Sequence, residues 1–269
     1  MSGLEKLETM LASEPRPGVT LLTLNRPERL NAMTMQMFAE LAQAAAAIKA
    51  STSTRVVVIT GAGKGFCSGY DLQDASGLHG QSQRQTLAGQ ELAADAIAAI
   101  HGLPQPVVAA VNGSAAGGGL SLALAADIRI ASTRARFDPV FVRIGLSAGD
   151  LGVSWFLPRI VGLGAASEML YTGRRVQAEE ALALRLVSRV VEPDELLDSA
   201  LETAEQIASA GPMGVRMTKR SLLANVDAPS LRTALELENR GQAMLVRGED
   251  LVEAISAFRE KRPPTFKDQ

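Results

Sequence analysis

Cysteine is nearly missing: Cys67 is the only one in 269 residues. No intrachain disulfide can form, and a lone thiol fits a reducing compartment. Histidine is almost as scarce, with His79 and His101 alone. A zinc site drawn from one cysteine and two distant histidines would need an unusual ligand set, so no metal is expected. Aromatic residues make up 4% against 46% hydrophobic overall. The core is therefore expected to be aliphatic, packed from Ala, Leu, Val and Ile. Neither charge sign dominates, since 27 basic and 29 acidic side chains leave a formal charge of −2. That balance gives no electrostatic footing for nucleic acid or an anionic membrane. Long apolar runs are also lacking; the stretch 117–126 falls well short of the ~20 residues of a membrane span. The N-terminal MSGLEKLETMLASEPRPG carries acids and has no apolar h-region, unlike a secretory signal. These absences point to a cytoplasmic protein.

What is present alternates. Val19–Leu24 reads as a short strand, ended by Asn25-Arg26-Pro27. Thr34 is placed to cap a helix running through the alanine-rich stretch to about Ala50. Arg55–Thr60 reads as a buried strand, Gln83–Ile100 as a helix and Val107–Val111 as a second buried strand. Gly117–Ala126 then looks helical, and Asp127–Ala131 forms a further strand. Strands and helices in alternation predict an α/β fold with parallel elements. From about Val191 the period is helical throughout: Pro193–Ala210, Val215–Ala224, Ser230–Val246 and Gly248–Arg259, with Pro212 and Pro229 as breaks. The expected division is an α/β core over 1–200 and a helical region over 201–269, ending in a tail.

Two glycine-rich segments carry the candidate chemistry. Gly65-Phe66-Cys67-Ser68-Gly69-Tyr70-Asp71-Leu72 follows one buried strand, at the sheet edge where α/β folds bind ligands. Val111-Asn112-Gly113-Ser114-Ala115-Ala116-Gly117-Gly118-Gly119 follows another and opens a helix. A helix N-terminus offers unpaired N–H groups and a positive dipole end, suited to an oxyanion. Each segment alone could be a tight turn or a close packing contact. Together they suggest two backbone donors around one developing charge.

These segments resemble the crotonase, or enoyl-CoA hydratase/isomerase, family. So do Leu24-Asn25-Arg26-Pro27-Glu28-Arg29-Leu30-Asn31-Ala32, Leu170-Tyr171-Thr172-Gly173 and the ending Phe258-Arg259-Glu260-Lys261-Arg262. The matches run in family order along nearly the whole chain. The resemblance implies a spiral of ββα units followed by a helical trimerisation region, giving a trimer or a dimer of trimers. It implies an acyl-CoA substrate, with coenzyme A as part of that substrate and no tightly bound cofactor. By position it implies that the N–H groups of Tyr70 and Gly118 hold the thioester oxygen. Arg29, Leu30, Ser68, Asp71, Leu72 and Gly117 would then contact substrate or CoA. Phe258, Lys261 and Phe266 fall where the family often touches the CoA of a neighbouring subunit.

The side-chain acids depart from the family pattern. Hydratases of the family carry two glutamates, whose positions fall here on Ser121 and about Phe141. Neither can act as a general base, so a two-glutamate addition of water is excluded; Asp138 would need a register shift to substitute. One acid remains, Asp150, in Gly145-Leu146-Ser147-Ala148-Gly149-Asp150-Leu151-Gly152. That segment is similar to the dienoyl-CoA isomerases, whose aspartate moves a proton on the acyl chain. The same residue could simply cap a helix starting near Leu151. Glu91 and Asp95 could partner it or form a solvated face. A family dehalogenase needs a histidine and aromatics on the helix matching 87–100, and Leu87–Asp95 carries neither His nor Trp. A serine hydrolase would need a histidine near Ser68 or Ser114. His79 is expected to be exposed and His101 to sit at a helix C-terminus. Cys67 and Trp155 are expected in packing, and Asp127 in a structural role. Three readings follow: an enoyl-CoA isomerase using Asp150, a hydratase with a non-standard acid, or a CoA-ester binder with little chemistry.

Overall fold

The computed structural model describes residues 4–71 and 80–268. Its frame is set by β-branched runs too apolar to face water on either side. In Val56–Gly61 (β3) and Val107–Val111 (β4) nearly every residue is buried, as parallel strands covered on both faces require. Val19–Leu24 (β2) lies parallel to β3, with Leu21 opposite Val58. On its other edge it pairs antiparallel with Met10–Arg16 (β1). Gly18, at φ +75°, makes the turn between the two. Ile128–Ser132 (β6) and Arg189–Val191 (β9) extend the parallel side, giving the order β1-β2-β3-β4-β6-β9. Parallel neighbours need crossovers. These are Met35–Ala50 (α1) between β2 and β3, and Gln83–His101 (α2) between β3 and β4. Thr34 caps α1 by accepting from the Met37 N–H, as expected, and Ser82 with Gln85 closes a capping box on α2.

The alternation of side chains along the strands divides the core. Val57, Ile59, Val107 and Ala109 face α1 and α2, beside Phe38, Leu41 and Ile97. Val56, Val58, Val108 and Ala110 face the opposite side, where Leu196, Ala200, Leu201 and Ala204 cover them. Those four belong to Leu196–Ala208 (α7). The boundary expected at residue 200 therefore cuts a helix whose apolar face closes the sheet. The α/β core runs to about Ala208, because without α7 one face of the parallel sheet would lie bare.

A small second sheet joins Ser114–Ala116 (β5), Arg136–Asp138 (β7) and Val176–Gln177 (β8). These pieces are too short to show a period in the sequence, and none was expected. Between them run Gly118–Ala125 (α3), a 3-10 turn over Val140–Ile144, Val153–Val161 (α4) and Leu163–Thr172 (α5). Ala178–Ala183 (α6) leads to β9. The repeated strand and helix turns follow the expected spiral arrangement. Beyond the core lie Pro212–Asn225 (α8), Leu231–Leu245 (α9) and Glu249–Glu260 (α10). Lys219 ties α8 back to the core: buried, it donates to Asp127 Oδ2 at 2.7 Å and to the Gln105 carbonyl at 3.1 Å. Burial pushes its pKa down, with Asp127 opposing. Among the described residues, no helix is long and apolar enough to cross a membrane.

Candidate active site

The site begins where the chain leaves β3. Its glycine-rich loop is held by two asparagines from the flanking motifs. Asn31 Nδ2 donates to the carbonyls of Ala62 at 2.9 Å and Gly65 at 2.8 Å, while its Oδ1 accepts from the Arg26 N–H. Asn112 Nδ2 donates to Gly63 and Gly65, and its Oδ1 accepts from the Gly61 N–H. Thus Asn31 and Asn112 are buttresses, which explains their places in otherwise distant motifs.

The next residues zip onto the segment before α1. Ser68 N–H donates to Leu30 O at 3.0 Å, Met33 N–H to Gly69 O at 2.7 Å and Asp71 N–H to Met33 O at 2.8 Å. Met33 and Tyr70 form a parallel bridge. That pattern bonds Met33 to residues 69 and 71 and turns Tyr70's own N–H and C=O away from Met33. The Tyr70 ring stacks on Phe38 at 6.5 Å between centroids.

Across from this loop stands the triple glycine. Gly69 adopts φ +93°, and a Cβ there would lie 2.9 Å from Ala116 O and 3.6 Å from Gly118 N. A Cβ on Gly119 would stand 2.1 Å from Cys67 O. Only glycine permits this approach of two backbones. Gly117, at φ +49°, is the N-cap of α3 and donates its N–H to Asp138 O. Gly118 is the first helical residue, so its N–H has no intrahelical acceptor. The sequence-expected pair, Tyr70 and Gly118, is thus carried by two segments in backbone contact.

Asp150 enters from a third segment. Leu151 and Gly152 both have positive φ, +44° and +83°. This turn presses Leu151 against α3: a Cβ on Gly118 would meet its Cδ1 at 3.3 Å. The N-cap alternative for Asp150 does not hold, because α4 starts at Val153 after Gly152 with no side-chain cap. Instead Gln90 Nε2 of α2 donates to Asp150 Oδ1. Desolvation by burial raises the Asp150 pKa, opposed by the bonds from Gln90 and the Leu151 N–H. Glu91 and Asp95 are exposed. The residue sequence reasoning missed is Gln90, one position before the acid it weighed; an uncharged amide in a polar helix start gives no signal of its own.

Ser121 and Phe141, the two positions where the resemblance would put hydratase glutamates, carry no ionisable group. Ser121 is fully buried and its hydroxyl donates to Gly117 O at 3.4 Å. Phe141 is buried, with Cε1 3.9 Å from where a Cβ on Gly117 would stand. Asp138 is no substitute, since it accepts from Arg175 Nε at 2.6 Å and from Ser114 Oγ at 3.1 Å.

Arg29 and Leu30 lie exposed beside this site, and Ser68 Oγ reaches the Arg29 carbonyl. The Asp71 carboxylate is paired with Arg26 at 3.0 Å. Leu72 and His79 lie outside the described residues. The tail residues are not brought here within one chain. Phe258 stands 85% exposed on α10, and Lys261 is the left-handed C-cap of that helix. Phe266 packs near Gly211, its carbonyl accepting from Arg55 Nη2 at 2.9 Å. His101 bonds through Nδ1 to Ala125 O, the end of α3 rather than of its own helix, and packs against Trp155 and Phe156. Cys67 is buried, and desolvation pushes its thiol up to about 12. Such a group is no nucleophile near neutral pH. Asp127 accepts from the Val107 N–H and from Lys219.

The family model for enoyl-CoA hydratase/isomerase matches residues 14–269. A Mycobacterium bovis protein named "Probable enoyl-CoA hydratase echA12" is 43% identical over 264 residues, covering 96% of this chain and 93% of that protein. A probable enoyl-CoA hydratase/isomerase from Mycobacterium abscessus superposes with a TM-score of 0.90 at 41% identity, over 97% of this chain and 100% of that one. A monofunctional enoyl CoA isomerase from M. smegmatis gives 0.72 at 40% identity, over 84% and 98%. The chain belongs to the enoyl-CoA hydratase/isomerase family and has its crotonase fold.

Proposed function

We propose that this enzyme isomerises the double bond of an enoyl-CoA, of the delta3-delta2 or dienoyl type, with Asp150 as acid and base. The Tyr70 and Gly118 N–H groups hold the thioester oxygen. Asp150 removes a proton next to the carbonyl, the electrons move onto that oxygen, and the resulting dienolate takes the proton back further along the chain. One carboxyl group suffices if it serves both carbons. Backbone donors are suited to the charge on oxygen, and losing one such donor costs ~10²–10³ in rate in a measured case. Arg29, Leu30, Ser68, Asp71, Leu72 and Gly117 contact the substrate or its CoA, and no tightly bound cofactor is needed. Phe258, Lys261 and Phe266 serve a neighbouring subunit of a trimer or a dimer of trimers, in the cytoplasm.

The observation that carries this reading is the contrast of acids. A half-buried aspartate with a raised pKa stands at the turn against Gly118. Ser121 and Phe141, both buried, occupy the positions where the family resemblance would put the carboxylates for water addition. A raised carboxyl pKa suits a group that must both take and return a proton. The hydratase reading draws on the name of the M. bovis relative and would require Asp150 to activate water. Two substrates separate them. With 3-hexenoyl-CoA, absorbance of the conjugated thioester should grow; with crotonyl-CoA it should barely fall. Hydration of crotonyl-CoA near a typical ~10 s⁻¹ would sink the isomerase reading. No proton exchange in deuterated water with any enoyl-CoA would favour a binding protein.

A further inference from the structure

Gln90 reaches Asp150 across 60 residues of sequence, from a different wall of the site. We propose that Gln90 is the positioning residue of this enzyme: its amide pins Oδ1 of Asp150, so that Oδ2 is the oxygen that works on the acyl chain. The inference rests on the reading of Asp150 as the acid and base.

Three restraints converge on this aspartate. Gln90 Nε2 donates to Oδ1. The Leu151 N–H lies beside the carboxylate and lowers its pKa, against the larger effect of burial. The Val153 N–H donates to the main-chain carbonyl of Asp150 at 2.9 Å. The last two are local, and they fix the turn. Only Gln90 comes from α2, so only it sets the side chain relative to a second element. Leu151 is held in the left-handed region at φ +44°, a strain tolerated where the surroundings over-determine it. That turn commits the carboxyl group to this spot.

The amide also suits a one-carboxyl mechanism. A second acid here would repel the Asp150 anion, while a lysine or arginine would hold it ionised and weaken it as a base. Glutamine donates one hydrogen bond and carries no charge at any working pH. Charged residues on the surrounding elements are Arg84, Glu91 and Asp95 of α2, Arg143 of the 3-10 turn and Arg159 of α4, all exposed. Arg159 is paired with Asp227 at 3.2 Å. Among the described residues, no ion pair to Asp150 competes with Gln90.

The test uses Gln90→Leu, which removes the donor at similar size, and Gln90→Glu, which keeps the shape and adds a charge. Protein labelled with carbon-13 at aspartate carboxyls is titrated by NMR, with the Asp150 signal assigned by its loss in Asp150→Asn. Removing a donor to the anion should raise the Asp150 midpoint by about one pH unit. Gln90→Glu should raise it further. The acid limb of kcat/KM on 3-hexenoyl-CoA should move the same way, with kcat down about tenfold to a hundredfold. A merely structural glutamine would lower thermal stability and leave both midpoints in place, which would overturn the proposal. If the midpoints rise but Asp150→Asn turns over like wild type, Asp150 is not the base. The reading of the site then falls, and this role of Gln90 with it. If Asp150→Asn is inactive while the Gln90 variants keep the wild-type midpoint and kcat, the site reading stands and Gln90 has no part in it.

Discussion

The two halves of the site are built by different means. Around Gly69 and Gly117–Gly119 the groups on offer are those of the backbone, locked by Asn31, Asn112 and contacts at Gly69 and Gly119 too close for a methyl group. Around Asp150 it belongs to side chains on a turn, half-buried and held by one amide from α2. A backbone site resists mutation of individual side chains and fixes where charge can develop. A side-chain site can be edited residue by residue. On the proposed reading, one frame could keep a thioester-binding half while the acids around it vary.

The largest effect should come from the backbone half. Gly69→Ala forces a side chain into φ +93° and to 2.9 Å from Ala116 O. It should cost about 3 kcal/mol of stability and abolish turnover; thermal melting and an activity assay read both. A variant as stable and active as wild type would show that the two segments need not touch.

Next comes Asp150→Asn. It should cut turnover by ~10²–10⁴ without loss of stability. The physical reason lies in linkage. The folded-state pKa of Asp150 is raised, so folding favours the neutral carboxyl and the penalty appears as pH rises through that pKa. Asparagine escapes the penalty, and at pH 8 its melting temperature should equal or exceed that of wild type. A marked drop would mean the carboxylate is structural.

A third outcome concerns pH. With burial raising the Asp150 pKa, kcat/KM should fall on the acid side at a midpoint above the ordinary aspartate value of ~3.9. The smallest effect is expected at Ser121→Ala. Its hydroxyl makes one long bond to Gly117, worth about 0.5–1 kcal/mol. Turnover should not change; a large loss would give Ser121 a chemical role.

The sequence was legible where local physics decides. The apolar runs of β3 and β4, the Thr34 cap and the helical periods of α2, α9 and α10 all lie where their residues indicate. That Ser121 and Phe141 carry no ionisable group was equally visible, since it needs only their identities. What escaped was set by contacts distant in sequence. Strands of two or three residues such as β8 and β9 exist only by pairing. Helix α7 joins the core because its apolar face meets the sheet, not because of anything at residue 200. Gln90 became visible only when α2 and the Asp150 turn were brought together.

The most direct test of the division between the halves is Asp150→Asn with butyryl-CoA and 3-hexenoyl-CoA in deuterated water. Calorimetry would follow binding, and NMR the exchange of acyl-chain protons. Intact affinity for both thioesters, with exchange and isomerisation lost, is the predicted result. Exchange at the wild-type rate would contradict the account, because the proton would then move without Asp150.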